Sequence, residues 1–184
     1  MSDTVRIERH RAWHEPTQAQ KRAGNYAKRK ILWRGLQLAI ENEAGSVRTF
    51  LNPDGSVGEK RLIYPYGYVC CSTGADGDEV DVFVGQDLDA PLVFIIRAQA
   101  KGRWDQYDED KVMIGFSSLE DAEQAFLRNY DDPRFLGEIV PMLVDEFVSK
   151  VRATAKAAPA MLKSVVVRAR GGVPCFGRIL SQRS

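Results

Sequence analysis

Between residues 36 and 116 the chain alternates short apolar segments with polar breaks, mostly with a period of two. Leu36, Leu38 and Ile40 fall on one side of a run ending at Glu41, the pattern of a half-buried strand. Residues 47–51 read as a second strand, closed by the turn Asn52-Pro53-Asp54-Gly55. Residues 62–71, rich in aromatic and β-branched side chains, predict a third. A glycine-rich acidic break follows at 73–78. Val80, Val82 and Val84 then share one face of a strand, with Asp81 and Phe83 on the other. Residues 92–98 and 111–116 predict two more strands. Regular structure is expected to begin near Ile31, after a polar, basic stretch at 17–30 that reads as a short helix or an arm.

The period then lengthens. Ser117-Ser118-Leu119-Glu120 fits a capping box, and Leu119, Ala122, Phe126 and Tyr130 follow at helical spacing. A second helical run starts at Pro141 and passes Leu143, Phe147 and Val151 into the alanine-rich segment 153–160. Strands followed by helices predict an α+β domain on a small antiparallel barrel or curled sheet. The tail carries a short apolar run at 165–167 and then Gly171-Gly172, which reads as an edge strand or a loose end. The expected organisation is a polar basic arm at 1–22, a domain at 23–150 and a basic extension at 151–184.

Composition narrows the class. At 184 residues, 44% apolar and 28% charged, the chain can bury one real core. That excludes a wholly disordered, collagen-like or disulfide-framework protein. No apolar stretch approaches the roughly 18 residues of a membrane span, and residues 1–11 lack the apolar core of a secretory signal. A cytoplasmic protein without a membrane partner is expected.

Charge adds a pattern that the net +1 hides. Residues 1–34 hold nine Lys/Arg against three Asp/Glu, residues 74–146 eighteen acids against six bases, and residues 147–184 eight bases and no acid. Basic ends folding back on an acidic middle account for this; so does an acidic centre for cations flanked by bases for an anion or nucleic acid. Trp13, Trp33 and Trp104 lie near basic residues and could stack on bases, although Trp33 and Trp104 also suit a core or barrel rim.

Other chemistries find little support. Cys70 and Cys71 are adjacent and Cys175 stands alone, with no C-x-x-C pair, so small buried hydrophobes are the expected role. His10 and His14 would share a helix face, but no third zinc ligand is evident. No histidine follows His14 to activate a serine or cysteine nucleophile.

The segment Asp76-Gly77-Asp78-Glu79-Val80-Asp81 is the most informative in the chain. Carboxylates crowded this closely repel one another unless a cation joins them. Gly77 permits a tight turn that brings Asp76 and Asp78 toward Asp81, and all-oxygen ligands favour a hard cation, magnesium or manganese. A solvated Asp-Gly hairpin turn is the plainer alternative. A second acidic group, Asp105, Asp108, Glu109 and Asp110, directly precedes Lys111. Two carboxylate groups with a lysine between them suit metal ions bound to phosphate.

Tyr66-Gly67-Tyr68 followed by Asp76-Gly77-Asp78-Glu79-Val80-Asp81-Val82 resembles the signature of soluble family I inorganic pyrophosphatases. That signature is an Asp-Gly-Asp-Pro-x-Asp-Val loop downstream of Tyr-Gly-(Phe/Tyr). The chain also resembles the pyrophosphatase-like domains of bacteriophage and prophage proteins. It shares with them Gly24-Asn25-Tyr26, Ile40-Glu41-Asn42, Gly45-Ser46-Val47-Arg48, Asp108 through Phe116, and Pro141-Met142. The likeness spans about residues 24–150.

The resemblance implies a five-stranded OB-like β-barrel with flanking C-terminal helices that hydrolyses pyrophosphate to two phosphates with magnesium. It implies metal-ligating roles for Asp76, Asp81, Glu109 and Glu41, with Asp108 beside them, and a water-activating role for Asp78. Arg48, Lys111, Tyr66 and Tyr130 would contact phosphate, with Lys60 or Arg61 as a further cation. Glu79 replaces the family's usual proline. Asp131 follows Tyr130 where a lysine is common, and Arg134 is the candidate to compensate. Pyrophosphate or a related diphosphate is thus the expected partner, with a homo-oligomer possible. The alternative is a non-catalytic OB-like module of a phage or mobile element that binds nucleic acid or a protein partner through its basic ends.

Overall fold

A computed structural model describes residues 16–17, 19–20, 26–51 and 54–156. His10, His14, Trp13, Cys175, the segment 165–167 and most of the expected terminal arms lie outside the described residues. Among the described residues the chain forms nine strands, two α-helices after residue 116 and a 3₁₀ turn at Pro133–Phe135. The strands are β1 (Arg29–Trp33), β2 (Leu36–Asn42), β3 (Val47–Leu51), β4 (Val57–Arg61), β5 (Tyr66–Val69), β6 (Asp81–Val84), β7 (Leu92–Ala100), β8 (Arg103–Ile114) and β9 (Ile139–Leu143). The helices are α1 (Leu119–Arg128) and α2 (Val144–Lys156).

Seven strands make one sheet in the order β1-β2-β5-β6-β8-β7-β9, while β3 and β4 form a separate hairpin. This corrects the expected barrel. The sheet is an open, seven-stranded half-barrel with β1 and β9 as unjoined edges, not a closed five-stranded OB-like barrel; the α+β class stands. The OB-like frame of the alternative binding module goes with it. Both edges were poorly legible. β1 begins on Arg29 and Lys30, and β9 contains Pro141, which ends a ladder anywhere except at an edge. The helical run expected from Pro141 therefore starts at Val144.

Alternation sorts the side chains between two cores. Val82 and Val84 of β6 and Val112 and Ile114 of β8 face one side, where α2 covers them with Val144, Phe147, Val148 and Val151. Phe83 and Met113 face the other, under Ala122, Ala125 and Phe126 of α1. Burying a residue such as Phe126 contributes about 1.5–3 kcal/mol. Helix α1 is capped one residue later than the expected Ser117–Glu120 box: the Ser118 side chain accepts from the Asp121 N–H at 3.1 Å, and Asp121, not Glu120, reaches back to accept from the Ser117 N–H at 3.2 Å.

Trp33 is buried and donates through Nε1 to the Leu88 carbonyl at 2.9 Å, so it is a core residue unavailable for stacking on bases. Trp104 packs edge-on against Phe135. Cys70 is half-buried, but Cys71 is exposed with φ 61°, which corrects its expected place in the core. Among the described residues no helix is long and apolar enough to cross a membrane.

Candidate active site

The acidic loop is held by its own backbone. The Gly74 N–H donates to the Asp78 carbonyl at 2.7 Å, and the Gly77 N–H to the Gly74 carbonyl at 3.2 Å. The Asp76 carboxylate accepts from the Asp78 N–H at 3.0 Å, an Asx-turn closed by Gly77 at φ 88°. Val69 and Val80 tie the loop's two ends together, and Ser72 Oγ accepts from the Val80 N–H at 2.9 Å. The turn leaves Asp76 and Asp78 exposed and delivers Asp81 to the first position of β6.

Asp81 lies on the Phe83 face, where the parallel pairing of β6 with β8 sets it opposite Lys111. Lys111 is only 3% exposed. Its ammonium donates to Asp81 Oδ2 at 2.5 Å and to the Tyr66 hydroxyl at 3.1 Å, and it pairs with Glu109 at 2.7 Å. The Tyr66 hydroxyl donates to the same Asp81 oxygen at 2.6 Å. Glu109 meets Lys111 because residues two apart on a strand share a face.

Burial pushes the Tyr66 phenol well up, and pushes Tyr130 up to about 12, so both hydroxyls remain donors at neutral pH. Burial opposes the Lys111 charge, but Tyr66, Tyr130, Asp81 and Glu109 outweigh it and drive its pKa up. Burial raises the Glu109 carboxyl against the pull of Lys111, with Asp81 and Asp108 adding to the rise.

Three depressions border the triad of Asp81, Lys111 and Glu109; one, of about 190 Å³, runs beside Ile95, Phe147 and Val151. A small cleft of about 70 Å³ is lined by Glu41, Asp76, Asp78, Glu79, Asp81 and Glu109, with Lys28 and Tyr68. Beside it a cavity of about 230 Å³ includes Arg48, Lys60, Lys101, Lys111, Asn129 and Tyr130, and again Glu109. The hairpin's register explains which of its cations enter. Arg48 pairs with Lys60 and Phe50 with Gly58, so these four share a face, while Arg61 takes the opposite side and donates to the Gly45 carbonyl at 2.6 Å. The Arg48 guanidinium lies over the Tyr66 ring at 5.0 Å.

Of the residues singled out by sequence, the structure brings Glu41, Asp76, Asp78, Asp81 and Glu109 to one cleft, and Arg48, Lys60, Lys111 and Tyr130 to its neighbour, with the buried Tyr66 hydroxyl bonded to Asp81 and Lys111. It leaves out Arg61 and Asp108. The latter is the extra residue of a bulge between the pairs Ala98–Glu109 and Gln99–Tyr107, and is exposed. Sequence reasoning missed Lys28, which pairs with Glu41 at 2.5 Å and lies 4.6 Å from the Tyr68 ring. The basic run 28–30, set across a tight turn from Glu41 and Glu43, is the signal that could have found it. It missed Lys101 too, and Asn129, whose side chain accepts from the Ile63 N–H and donates to the Ala125 carbonyl.

The expected metal centre is corrected. Among the described residues no group of three or more His, Cys, Asp or Glu side chains is gathered to hold a metal ion. The cause is local: the Lys111 ammonium takes the place between Asp81 and Glu109, Lys28 neutralises Glu41, and the Asp76 carboxylate is turned onto its own loop. The carboxylates line the cleft without closing into a cage, so the side chains do not fit a resident metal.

The sequence profile of the inorganic pyrophosphatase family matches residues 18–152. Comparison with curated proteins gives no match. Among solved structures the chain is similar to an inorganic pyrophosphatase from Helicobacter pylori, at 14% identity and a TM-score of 0.40, over 65% of this chain and 91% of that one. It is similar to an inorganic pyrophosphatase from Neisseria gonorrhoeae at 16% and 0.39, over 63% and 86%. It also resembles an inorganic phosphatase from Anaplasma phagocytophilum at 14% and 0.32, over 73% and 95%.

Proposed function

The chain belongs to the inorganic pyrophosphatase family, and on that premise we propose that it hydrolyses inorganic pyrophosphate to two phosphates with magnesium. One observation carries this reading: an acidic cleft and a basic cavity share Glu109 and abut at the Lys111 ion pairs. A diphosphate that brings its own divalent cation needs both signs side by side.

On the basic side, Arg48, Lys60 and Lys111 meet phosphate oxygens, Arg48 as a fork and the lysines as point charges. The protonated hydroxyl of Tyr130 adds a neutral donor, while Tyr66, whose O–H is given to Asp81, supports Lys111 from behind. On the acidic side, magnesium enters with the substrate as magnesium pyrophosphate. Asp76, Asp81, Glu109 and Glu41 are the face turned to that complex, in place of a resident centre, and manganese could replace magnesium in it. Held by the substrate and facing these carboxylates, such a cation would draw charge from the departing phosphate.

In the hydrolysis, the oxygen of water bonds to one phosphorus and the bridging P–O bond breaks. The second phosphate leaves with the bridging electrons, and Asp78, at the exposed mouth of the acidic cleft, accepts the proton from water. Glu79 in place of the family's proline favours the phage- and prophage-associated branch, and a cytoplasmic setting suits the substrate.

Malachite-green detection of phosphate tests the activity. The protein should release phosphate from pyrophosphate only with magnesium present, and Asp78→Asn should lower kcat by at least about 100-fold with unchanged circular dichroism. Full activity in that variant removes the role of Asp78, and no release by the unaltered protein removes the proposed reaction.

A further inference from the structure

We infer that Lys28 is a tethered counter-ion that keeps free divalent cations out of the acidic cleft, so that the cleft accepts a cation only together with its diphosphate. The inference rests on the pyrophosphatase reading for the diphosphate, and adds to it a rule for how metal and anion arrive.

The pairing of the sheet places Lys28 where a bare cation would have to compete with it. Ala39, Tyr68, Asp81 and Lys111 are cross-strand partners through β2, β5, β6 and β8, so they share one face. Glu41 is the bulged residue of β2, skipped between the pairs Ile40–Gly67 and Asn42–Tyr66. Arg29 pairs with Ile40 on an antiparallel neighbour, so Lys28, one step earlier, comes opposite Glu41. The Lys28 ammonium holds Glu41 Oε1 at 2.5 Å and donates to the Tyr68 hydroxyl at 3.3 Å. It also lies 4.6 Å from the centre of the Tyr68 ring. Both members of the ion pair are half-buried. Among the described residues, Lys28 is the only base that lines the acidic cleft. Lys111, the other lysine of this face, is buried and does not line it.

Charge decides what enters. A bare divalent cation approaching Glu41 meets an ammonium already on that carboxylate. To bind there it must expel Lys28, which is then left against the Tyr68 ring with no anion of its own. A metal diphosphate brings both signs. Its cation faces the carboxylates while a phosphate oxygen takes the ammonium, so each half of the broken pair is matched again. The Lys28–Glu41 pair thus opposes the ion alone and yields to the complex.

The test removes the charge and keeps the stem. Manganese, a paramagnetic stand-in for magnesium, is titrated into the full chain without diphosphate, and its binding is followed by electron paramagnetic resonance. Lys28→Met should bind manganese at least about tenfold more tightly than the unaltered protein, because a divalent ion feels twice the repulsion of a single charge. Lys28→Arg should match the unaltered protein. Glu41→Gln added to Lys28→Met should abolish the gain. Arg29→Met is the control for net charge: it takes a cation from Glu43, a pair that does not line the cleft, and should leave manganese binding unchanged. In a second arm, calorimetry follows manganese with imidodiphosphate, a pyrophosphate analogue that resists hydrolysis; the unaltered protein should bind this complex.

Lys28→Met with the manganese affinity of the unaltered protein overturns the inference, as does micromolar manganese binding by the unaltered protein without diphosphate. Equal gains in Lys28→Met and Arg29→Met overturn it in favour of net charge alone. If the unaltered protein does not bind the manganese complex of the analogue, the diphosphate half of the inference falls with the pyrophosphatase reading, whereas the titration without diphosphate still decides whether Lys28 excludes the metal. Binding of that complex without release of phosphate from pyrophosphate overturns hydrolysis alone.

Discussion

The acidic loop and the β3–β4 hairpin flank the same site but are anchored in different ways. The loop is stitched to β5 and β6 by backbone bonds at Val69, Ser72 and Val80, and Asp81 is already part of the seven-stranded sheet. The hairpin is a two-stranded sheet of its own. Its base is joined by the exchange between Gly45, Ser46 and Leu62, and its inner face rests on ring and charge contacts. Carboxylates thus stand on the rigid body, whereas two of the cations ride on an appended ribbon. The contrast teaches that damage to the two halves should register in different measurements, stability for the first and substrate affinity for the second.

The largest effect is expected from Gly67→Ala. A methyl at this position of β5 would collide with the Ala39 carbonyl of β2, and backbone cannot yield as a side chain can. A loss of about 4 kcal/mol is expected, at the upper end of single substitutions, read as a drop in the denaturation midpoint. Lys111→Met comes next. It leaves Asp81 and Glu109 facing each other half-buried without their shared cation, at a cost of about 3 kcal/mol, and should abolish pyrophosphate turnover as well. A variant of unchanged stability would show that the triad does not join the two halves.

Gly58→Ala acts on the ribbon. The nearest atoms to the added methyl belong to the Phe50 ring, a side chain that can swing aside, so stability should change by less than about 1 kcal/mol while KM for pyrophosphate rises severalfold. An equal fall in stability for Gly58→Ala and Gly67→Ala would erase the distinction between body and ribbon.

The smallest effect lies at Asp132, next in the chain to Asp131 of the basic cavity. Hydrogen bonds from the Arg134 side chain and backbone hold the Asp132 carboxyl down to about 2. A depressed carboxyl contributes stability that is present above its unfolded value and lost as pH falls through its folded one. That contribution should disappear between about pH 4 and 2. Carboxyl NMR should show Asp132 titrating near 2, and Asp132→Asn should remove a slight acid-limb difference in stability.

Legibility in the sequence followed the strength of local periodicity. The alternation at Val80–Asp81–Val82–Phe83–Val84 correctly put Asp81 on the face that bears the triad, and the serine pair before Leu119 marked the start of α1. The acidic loop was legible as a turn because Gly77 and its aspartates form a local unit. The open sheet was not, since its two edges carry a basic start and a proline, both tolerated where a ladder has only one neighbour. The absence of a metal cage was not legible either. It depends on Lys111 lying directly beside Asp81, a parallel register that spacing along the chain does not encode.

That parallel register also bears on the order in which the chain organises itself. The β7–β8 pairing closes over a two-residue turn, whereas Asp81 must find Lys111 across thirty positions, with all of β7 between them. Local hairpins close faster than distant parallel pairs. Glu109 and Lys111 therefore come into contact early on one strand, and Asp81 completes the trio only when the crossover is made. The Asp81–Lys111–Glu109 cluster should assemble only after the β7–β8 hairpin has closed during refolding.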